Sequence, residues 1–252
     1  MRLTNKLSCI AFELLGSNCY ECHQPLPNKG NSQHEKHKWC HECYQLFDAV
    51  SRCEMCGITT PTPMARCGIC ISNPPAWDKL FCVGDYQAPL SKYVQGLKYH
   101  RQVWHARELA TLLSRDITSP APILLSIPLH WRRQLQRGFN QSDYLARYLT
   151  QQLAAKSPLQ PAIQYLPNAV KRTKMTRNQM GLNRRQRLMN LKSAFQLSSK
   201  MKEKIKNQPH IALLDDVVTT GSTVSEICLL LRKQGVQRID VYCICRASKP
   251  VL

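Results

Sequence analysis

His210-Ile211-Ala212-Leu213-Leu214-Asp215-Asp216-Val217-Val218-Thr219-Thr220-Gly221-Ser222-Thr223-Val224 carries the decisive pattern of this 252-residue chain. Ile211 to Leu214 form a short unbroken apolar run, as a strand buried on both faces of a parallel sheet requires. Two adjacent carboxylates follow, where the strand is expected to end. Hydroxyl residues then surround Gly221, and helical spacing sets in from Ser225 to Gln234, with Ile227, Leu230 and Leu231 on one face. Gly235 suits the end of that helix, and Ile239 to Ile244 reads as the next strand. The unit is strand, loop, helix, strand, and its loop opens a helix N-terminus.

Backbone N–H groups of Thr220 to Thr223, with the helix dipole behind them, can cradle a phosphate, and the hydroxyls add donors. Gly221 lets the backbone close around it. Two carboxylates beside a phosphate would repel it unless a sugar diol or a Mg2+ ion accepts them. Together these groups describe a seat for a ribose 5-phosphate. The bland alternative, a capped helix after an ordinary strand, accounts for the hydroxyls but not for the aspartates. The loop is neither Gly-x4-Gly-Lys-Ser/Thr nor Gly-x-Gly-x-x-Gly.

Upstream, Ile123 to Ile127 is a second strand, which Pro128 should end. A basic loop follows and leads into a helix around Asn140 to Leu153. Arg132, Arg133 and Arg137 then sit at a strand's C-terminal end, where open α/β sheets bind ligands. Leu97-Lys98-Tyr99 and a helix from Trp104 to Ser114 precede what reads as the first core strand. They would form a hood over the site, in which Tyr93, Tyr99 and Trp104 either pack or stack on a base.

Charge and cysteine divide the chain. Residues 1–80 carry eight Lys/Arg and seven Asp/Glu, whereas residues 81–252 carry twenty-seven and nine. A field of that sign attracts phosphates, on a nucleic acid, a nucleotide or a sugar. Lys171 to Lys192 alone holds eight basic residues and no acidic one. Lys200 to Lys206 reads as an exposed connector. Asn73-Pro74-Pro75 marks the domain boundary, giving domains 1–75 and 76–252, and Ser157 to Pro161 reads as an internal loop.

Nine of the thirteen cysteines lie at or before Cys70, eight of them as Cys19-x-x-Cys22, Cys40-x-x-Cys43, Cys53-x-x-Cys56 and Cys67-x-x-Cys70. Each pair can set two thiolates on one side of a tight turn, and two pairs complete a tetrahedral S4 site, so two structural zinc ions are expected. Disulfides require an oxidising compartment, which the absence of a signal-peptide pattern in Met1 to Asn18 argues against. An iron–sulfur cluster would use the same ligands. Sequential sharing of pairs is preferred, with a cross-brace as the alternative. Gly57 and Gly68 follow cysteines where such turns need freedom. His23, His34, His37 and His41 read as solvated, and Cys9, Cys82, Cys228, Cys243 and Cys245 as small apolar residues of cores. No apolar run reaches membrane-spanning length, so a cytoplasmic protein without membrane insertion is expected.

The apolar run, acidic pair and Thr-Thr-Gly-Ser-Thr resemble the phosphoribosyl pyrophosphate (PRPP) signature of type I phosphoribosyltransferases. That resemblance implies Asp215 and Asp216 on the ribose hydroxyls and Thr219, Thr220, Gly221, Ser222 and Thr223 on the 5-phosphate. Pro128-Leu129-His130-Trp131-Arg132-Arg133 leading to Arg137-Gly138-Phe139-Asn140-Gln141, then Gln179, Leu182, Arg187, Asn190, Ala194 and Phe195, together with the cysteine-rich start, resemble the ComF family of natural transformation. The long spacer between Cys22 and Cys40 departs from that pattern. The resemblance implies an α/β, phosphoribosyltransferase-like, mostly parallel sheet flanked by helices, behind an N-terminal double zinc ribbon. It also implies Mg2+ with PRPP and pyrophosphate on Arg132, Arg133 and Arg137. The basic stretch corresponds to a mobile loop whose Arg172, Arg177, Arg184, Arg185 and Arg187 would meet pyrophosphate or a nucleic-acid backbone. Activity would be pentosyl transfer, with no residue standing out as a general base. The alternative is a non-catalytic protein that binds single-stranded DNA or an uptake helicase through the same fold.

Overall fold

The computed structural model describes residues 18–26, 38–156, 162–173 and 194–247. The chain divides into two compact units, Met1–Asp48 and Ala49–Leu252. In the first, helix α1 (His41–Gln45) follows the Trp39-Cys40 turn, and the buried rings of Trp39 and Phe47 lie 4.8 Å apart. The second unit opens with a cysteine-bearing segment ending in α2 (Gly68–Ser72) and continues into a sheet.

From the second unit come β1 (Lys79–Asp85), α3 (Leu90–Tyr99), α4 (His105–Ser114), β2 (Ile123–Ser126), α5 (Trp131–Arg137), α6 (Gln141–Lys156), β3 (Gln164–Tyr165), β4 (Val170–Arg172), β5 (Phe195–Leu197), α7 (Ser199–Ile205), β6 (His210–Val218), α8 (Ser222–Arg232) and β7 (Arg238–Arg246). Five strands form one parallel sheet in the order β1-β7-β6-β2-β3, while β4 and β5 make a separate antiparallel ribbon. The fold is thus α/β, a parallel sheet flanked by helices.

Strand alternation explains both layers. Ile211 and Leu213 of β6, with Ile239 and Val241 of β7, turn to one face and join Val224, Ile227 and Leu231 of α8 and Phe195 of β5 in the main core. The alternate residues face α4 and α6, which pack on each other and on the sheet. Ile211 to Leu214 are accordingly all buried, as the unbroken apolar run demands. Cys82, Cys228, Cys243 and Cys245 are core residues, as expected; Cys9 lies outside the described residues.

Several expectations need correction. The strand expected at Ile211 to Leu214 runs from His210 to Val218, because its neighbour β7 continues alongside as far as Arg246. The first core strand is β1 rather than β2. Consequently α4 is no hood: it packs against β1, β7 and α6, with Leu109, Leu112 and Leu113 buried. The segment of Arg132, Arg133 and Arg137 is helical, started by His130 Nδ1 accepting from Arg132 N and ended by Gly138 at φ 82°. Lys200 to Lys206 is not a bare connector; most of it forms α7, anchored by buried Ile205. Ser157 to Pro161 lies outside the described residues.

Candidate functional site

Each unit gathers four thiols. Cys19, Cys22, Cys40 and Cys43 form one group and Cys53, Cys56, Cys67 and Cys70 the other, with all sulfurs of a group within 4.8 Å of one another. The pairs therefore combine sequentially. Sγ separations are 3.7 Å for Cys22–Cys40, 3.9 Å for Cys53–Cys70 and 3.7 Å for Cys56–Cys67. These are far beyond the ~2.05 Å of a disulfide. They match the edge of about 3.8 Å that a tetrahedron with metal–sulfur bonds of ~2.3 Å must have. The donor set fits zinc, and both tetrads could hold a structural ion.

The knuckles are held by backbone donors. Cys40 N lies 3.3 Å from Cys19 Sγ, and Cys67 N lies 3.2 Å from Cys53 Sγ. Burial pushes both thiols up, but these and neighbouring N–H groups outweigh it, bringing Cys19 down to about 6 and Cys53 to about 7. Cys43 and Cys70 are driven the other way, first by burial and then by the adjacent thiols. Each tetrad thus holds one thiol drawn toward its thiolate form, while a metal would have to displace protons from Cys43 in the first and from Cys56 and Cys70 in the second. Gly57 after Cys56 takes φ 73°, as expected, whereas Gly68 simply opens α2. In the first tetrad His23, at φ 61°, occupies the position that Gly57 fills in the second. Neither His23 nor His41 enters a tetrad; His34 and His37 lie outside the described residues.

The second candidate centre is the C-terminal end of the sheet. Because β6 continues past them, Asp215 and Asp216 are neighbours on a strand and turn to opposite faces. Asp216 is buried and pairs with Lys98 Nζ of α3 at 2.8 Å, and its Oδ2 has no hydrogen-bond partner among the described residues. Asp215 Oδ1 accepts from Ser142 Oγ at 3.3 Å and from Asp216 N at 2.9 Å. Burial, and next the charge of Asp216, push the Asp215 carboxyl up to about 7 against the opposing pull of Lys98, the Asp216 N–H and Ser142. Lys98 pays a desolvation cost, yet Asp216 holds its ammonium above the ordinary lysine value.

Beyond β6, Thr219 is exposed and Thr220 Oγ1 lies 2.9 Å from Ser222 Oγ. Gly221 is the N-cap of α8 at φ 73°, and no side chain caps the first turn. A glycine there leaves the N–H groups of Ser222 and Thr223 with no cap side chain competing for them.

A basic wall adjoins this end. His130 is buried with Nε2 unpartnered among the described residues, and burial followed by the charges of Arg172, Arg132 and Arg133 holds its ring below the usual histidine value. Burial comes first and the charge of Arg133 second in drawing down Arg172, while Asp215 opposes them. The structure thus brings Arg132, Arg133 and Arg172 together around His130, with Arg172 within electrostatic reach of Asp215. Arg137 differs: its NH1 donates to Gln141 Oε1 at 3.0 Å and its guanidinium lies 5.0 Å from the Tyr99 ring. Arg177, Arg184, Arg185 and Arg187 lie outside the described residues, as do Gln179, Leu182 and Asn190. Among the aromatics, Tyr93 is buried, whereas Tyr99 and Trp104 are exposed.

Sequence reading missed Lys98 as a partner of the acidic pair, Ser142, and Asp143. The last accepts from Ser126 Oγ, from Tyr165 OH at 2.8 Å and from Asn140 Nδ2 at 3.2 Å. A detectable signal existed for Ser142 and Asp143 alone: both follow Asn140-Gln141 at a helix start facing the sheet end.

No protein-family model matches the chain. Curated relatives do. The chain is 37% identical over 228 residues to competence protein F of Haemophilus influenzae, covering 87% of this chain and 95% of that protein. It is 36% identical over 239 residues to DNA utilization protein YhgH of Salmonella typhi, covering 90% and 96%, and 37% identical over 202 residues to YhgH of Escherichia coli, covering 77% and 83%.

Proposed function

The chain belongs to the ComF family, and from that premise we propose a protein of DNA uptake in competence whose sheet domain binds a phosphorylated pentose, with PRPP and Mg2+ as the complete ligand. The names competence protein F and DNA utilization protein carried by its relatives support the process. One local observation supports the ligand: a carboxylate pair lies near the C-terminal end of β6, which runs to Val218, three residues before the glycine that caps the next helix. The N–H groups of Ser222 and Thr223, with the hydroxyls of Thr219, Thr220, Ser222 and Thr223, receive the 5-phosphate. Asp215 receives ribose hydroxyls, joined by Asp216 once Lys98 shares or leaves it. Mg2+, held by the same carboxylates and the ligand's phosphates, would neutralise their charge. Arg132, Arg133 and Arg137 stand on the side from which pyrophosphate would depart. If transfer occurs, the C1–oxygen bond to pyrophosphate breaks through an oxocarbenium-like state, and these guanidiniums stabilise the leaving group electrostatically. No described side chain is assigned as a general base.

The test is titration of ribose 5-phosphate and Mg-PRPP against the full chain, with pyrophosphate release followed across candidate acceptors. Binding should strengthen as pH rises through about 7, because hydroxyls need the ionised Asp215 and that carboxyl is raised. Below the transition, affinity should fall by up to about tenfold per pH unit. Asp215→Asn should bind weakly at every pH and lose this dependence. A wild-type affinity that is flat between pH 5.5 and 8.5 would count against Asp215 as the diol acceptor.

A second reading, binding of single-stranded DNA, is favoured by the outer face of α5. Trp131 and Leu135 are exposed there among Arg132, Arg133 and Arg137, with the Arg137–Tyr99 stack beside them. Such an aromatic and basic surface suits bases and their phosphates together. Trp131→Ala should weaken oligonucleotide binding by about tenfold with little change in salt slope. Arg132→Gln with Arg133→Gln should instead flatten the slope by about 1.4. An unchanged affinity in both variants would remove α5 from the interface. A cytoplasmic site of action and contact with an uptake helicase complete this proposal.

A further inference from the structure

The turn of the second tetrad is tied to the phosphate loop by two side chains, each of which holds both. Trp77 Nε1 donates to Met55 O at 2.7 Å, and Met55 lies between Cys53 and Cys56. The same buried indole lies beneath Gly221: a Cβ on that glycine would come within 2.4 Å of Trp77 Cη2. Arg246, the last residue of β7, donates through Nε to Cys56 O at 2.8 Å. Its NH1 reaches the carbonyls of Val218 at 3.0 Å, Thr219, and Ala247 at 2.8 Å. The carbonyls of Met55 and Cys56 thus fix two groups that brace the loop at its entrance, Val218–Thr219, and at its centre, Gly221.

The position of those two carbonyls is set by the Cys53–Cys56 turn, closed by Gly57 N to Cys53 O at 2.8 Å and by Cys53 N to Ile58 O at 3.0 Å. All four sulfurs of the tetrad can share one ion. Holding them together holds the turn, and the turn holds Trp77 and Arg246. The guanidinium matters because it spends its donors on carbonyls from both sides, which a shorter or neutral side chain cannot do. Trp77 matters because a flat ring against a Cβ-free residue leaves the loop one way to lie.

We propose that Trp77 and Arg246 are positioning residues that couple metal occupancy of the Cys53/Cys56/Cys67/Cys70 tetrad to phosphate binding at Thr219–Thr223. This rests on the reading of that loop as a phosphate seat. Linkage makes the coupling reciprocal: the metal tightens phosphate binding, and phosphate binding tightens metal binding by the same factor. The first tetrad belongs to the other compact unit and serves as the comparison.

Zinc transfer from the full chain to a chromogenic chelator, with and without ribose 5-phosphate, tests this. A Cys40→Ser, Cys43→Ser chain reports the second tetrad alone, and calorimetry on the same zinc-loaded protein measures ribose 5-phosphate binding. We expect the ligand to raise the second tetrad's zinc affinity, read from the share transferred at equilibrium, about fivefold or more, the lower range of allosteric coupling. Arg246→Gln and Trp77→Phe should abolish that gain and weaken ribose 5-phosphate by a similar factor, with zinc stoichiometry unchanged. If wild type binds ribose 5-phosphate but gives up the same share of zinc at equilibrium with it as without it, the coupling is overturned alone. If zinc-loaded wild type binds no ribose 5-phosphate, the phosphate-seat reading falls, and the coupling falls with it.

Discussion

Asp216→Asn is expected to lower stability by about 3 kcal/mol or more, the scale for removing one member of a buried ion pair. Lys98 Nζ would remain enclosed, 15% exposed at the side chain, with its counter-charge gone. The amide can accept one hydrogen bond but brings no charge to offset the desolvated ammonium. Lys98→Met should also be destabilising, since it leaves the buried Asp216 carboxylate without its counter-charge. The double variant should recover most of the loss, so that a double-mutant cycle in urea gives a coupling of about 2 kcal/mol. The same cycle reads ligand binding. Asp216→Asn should weaken Mg-PRPP by at least tenfold, while Lys98→Met, which frees the carboxylate, should leave it equal or tighter. An Asp216→Asn midpoint within ~0.3 kcal/mol of wild type would mean that the pair behaves as a surface contact.

That pair also shows where sequence reading stops. The strand and helix on either side of Gly221 were legible because burial on both faces leaves an unbroken apolar run and helix packing leaves a 3.6-residue stripe. The four Cys-x-x-Cys pairs were legible because metal ligation imposes a local spacing. Nothing local marks Lys98 as the partner of a carboxylate 118 positions later; their meeting depends on α3 packing beside β7. The edge strand β1 was missed because Gly84 interrupts its propensity and the segment that covers it lies upstream, before two prolines. The acidic pair was placed beyond the strand because residue type alone suggests an end. Yet β7 extends the ladder to Val218 and so splits the two side chains between faces. Trp77 and Arg246 look like ordinary core and strand-end residues until the loop and the Cys53–Cys56 turn are seen to meet on them.

The largest effect of all should come from the second tetrad. It lies along β1, the open edge of the sheet. Leu80 N donates to Glu54 O at 2.8 Å, Arg52 NH1 spans Gly57 O at 2.9 Å and Asp85 at 3.0 Å, and Thr59 Oγ1 reaches Asp85 at 2.9 Å. An uncovered edge strand with free N–H groups is a poor terminus for a sheet, and this segment supplies the cover. Structural zinc contributes roughly 10 kcal/mol or more to small modules that fold around it, comparable with the 5–15 kcal/mol stability of a whole domain. Cys53→Ser should therefore destabilise β1 and β7 together, abolishing slow amide exchange at Phe81, Cys82 and Cys243 and lowering the main thermal transition by 10 °C or more. Cys19→Ser removes the equivalent ligand from the other compact unit and should leave that transition and those amides unchanged. Strand protection surviving in Cys53→Ser would show that the sheet holds its edge unaided. The cysteine segment would then be an appendage to the second unit rather than part of its core.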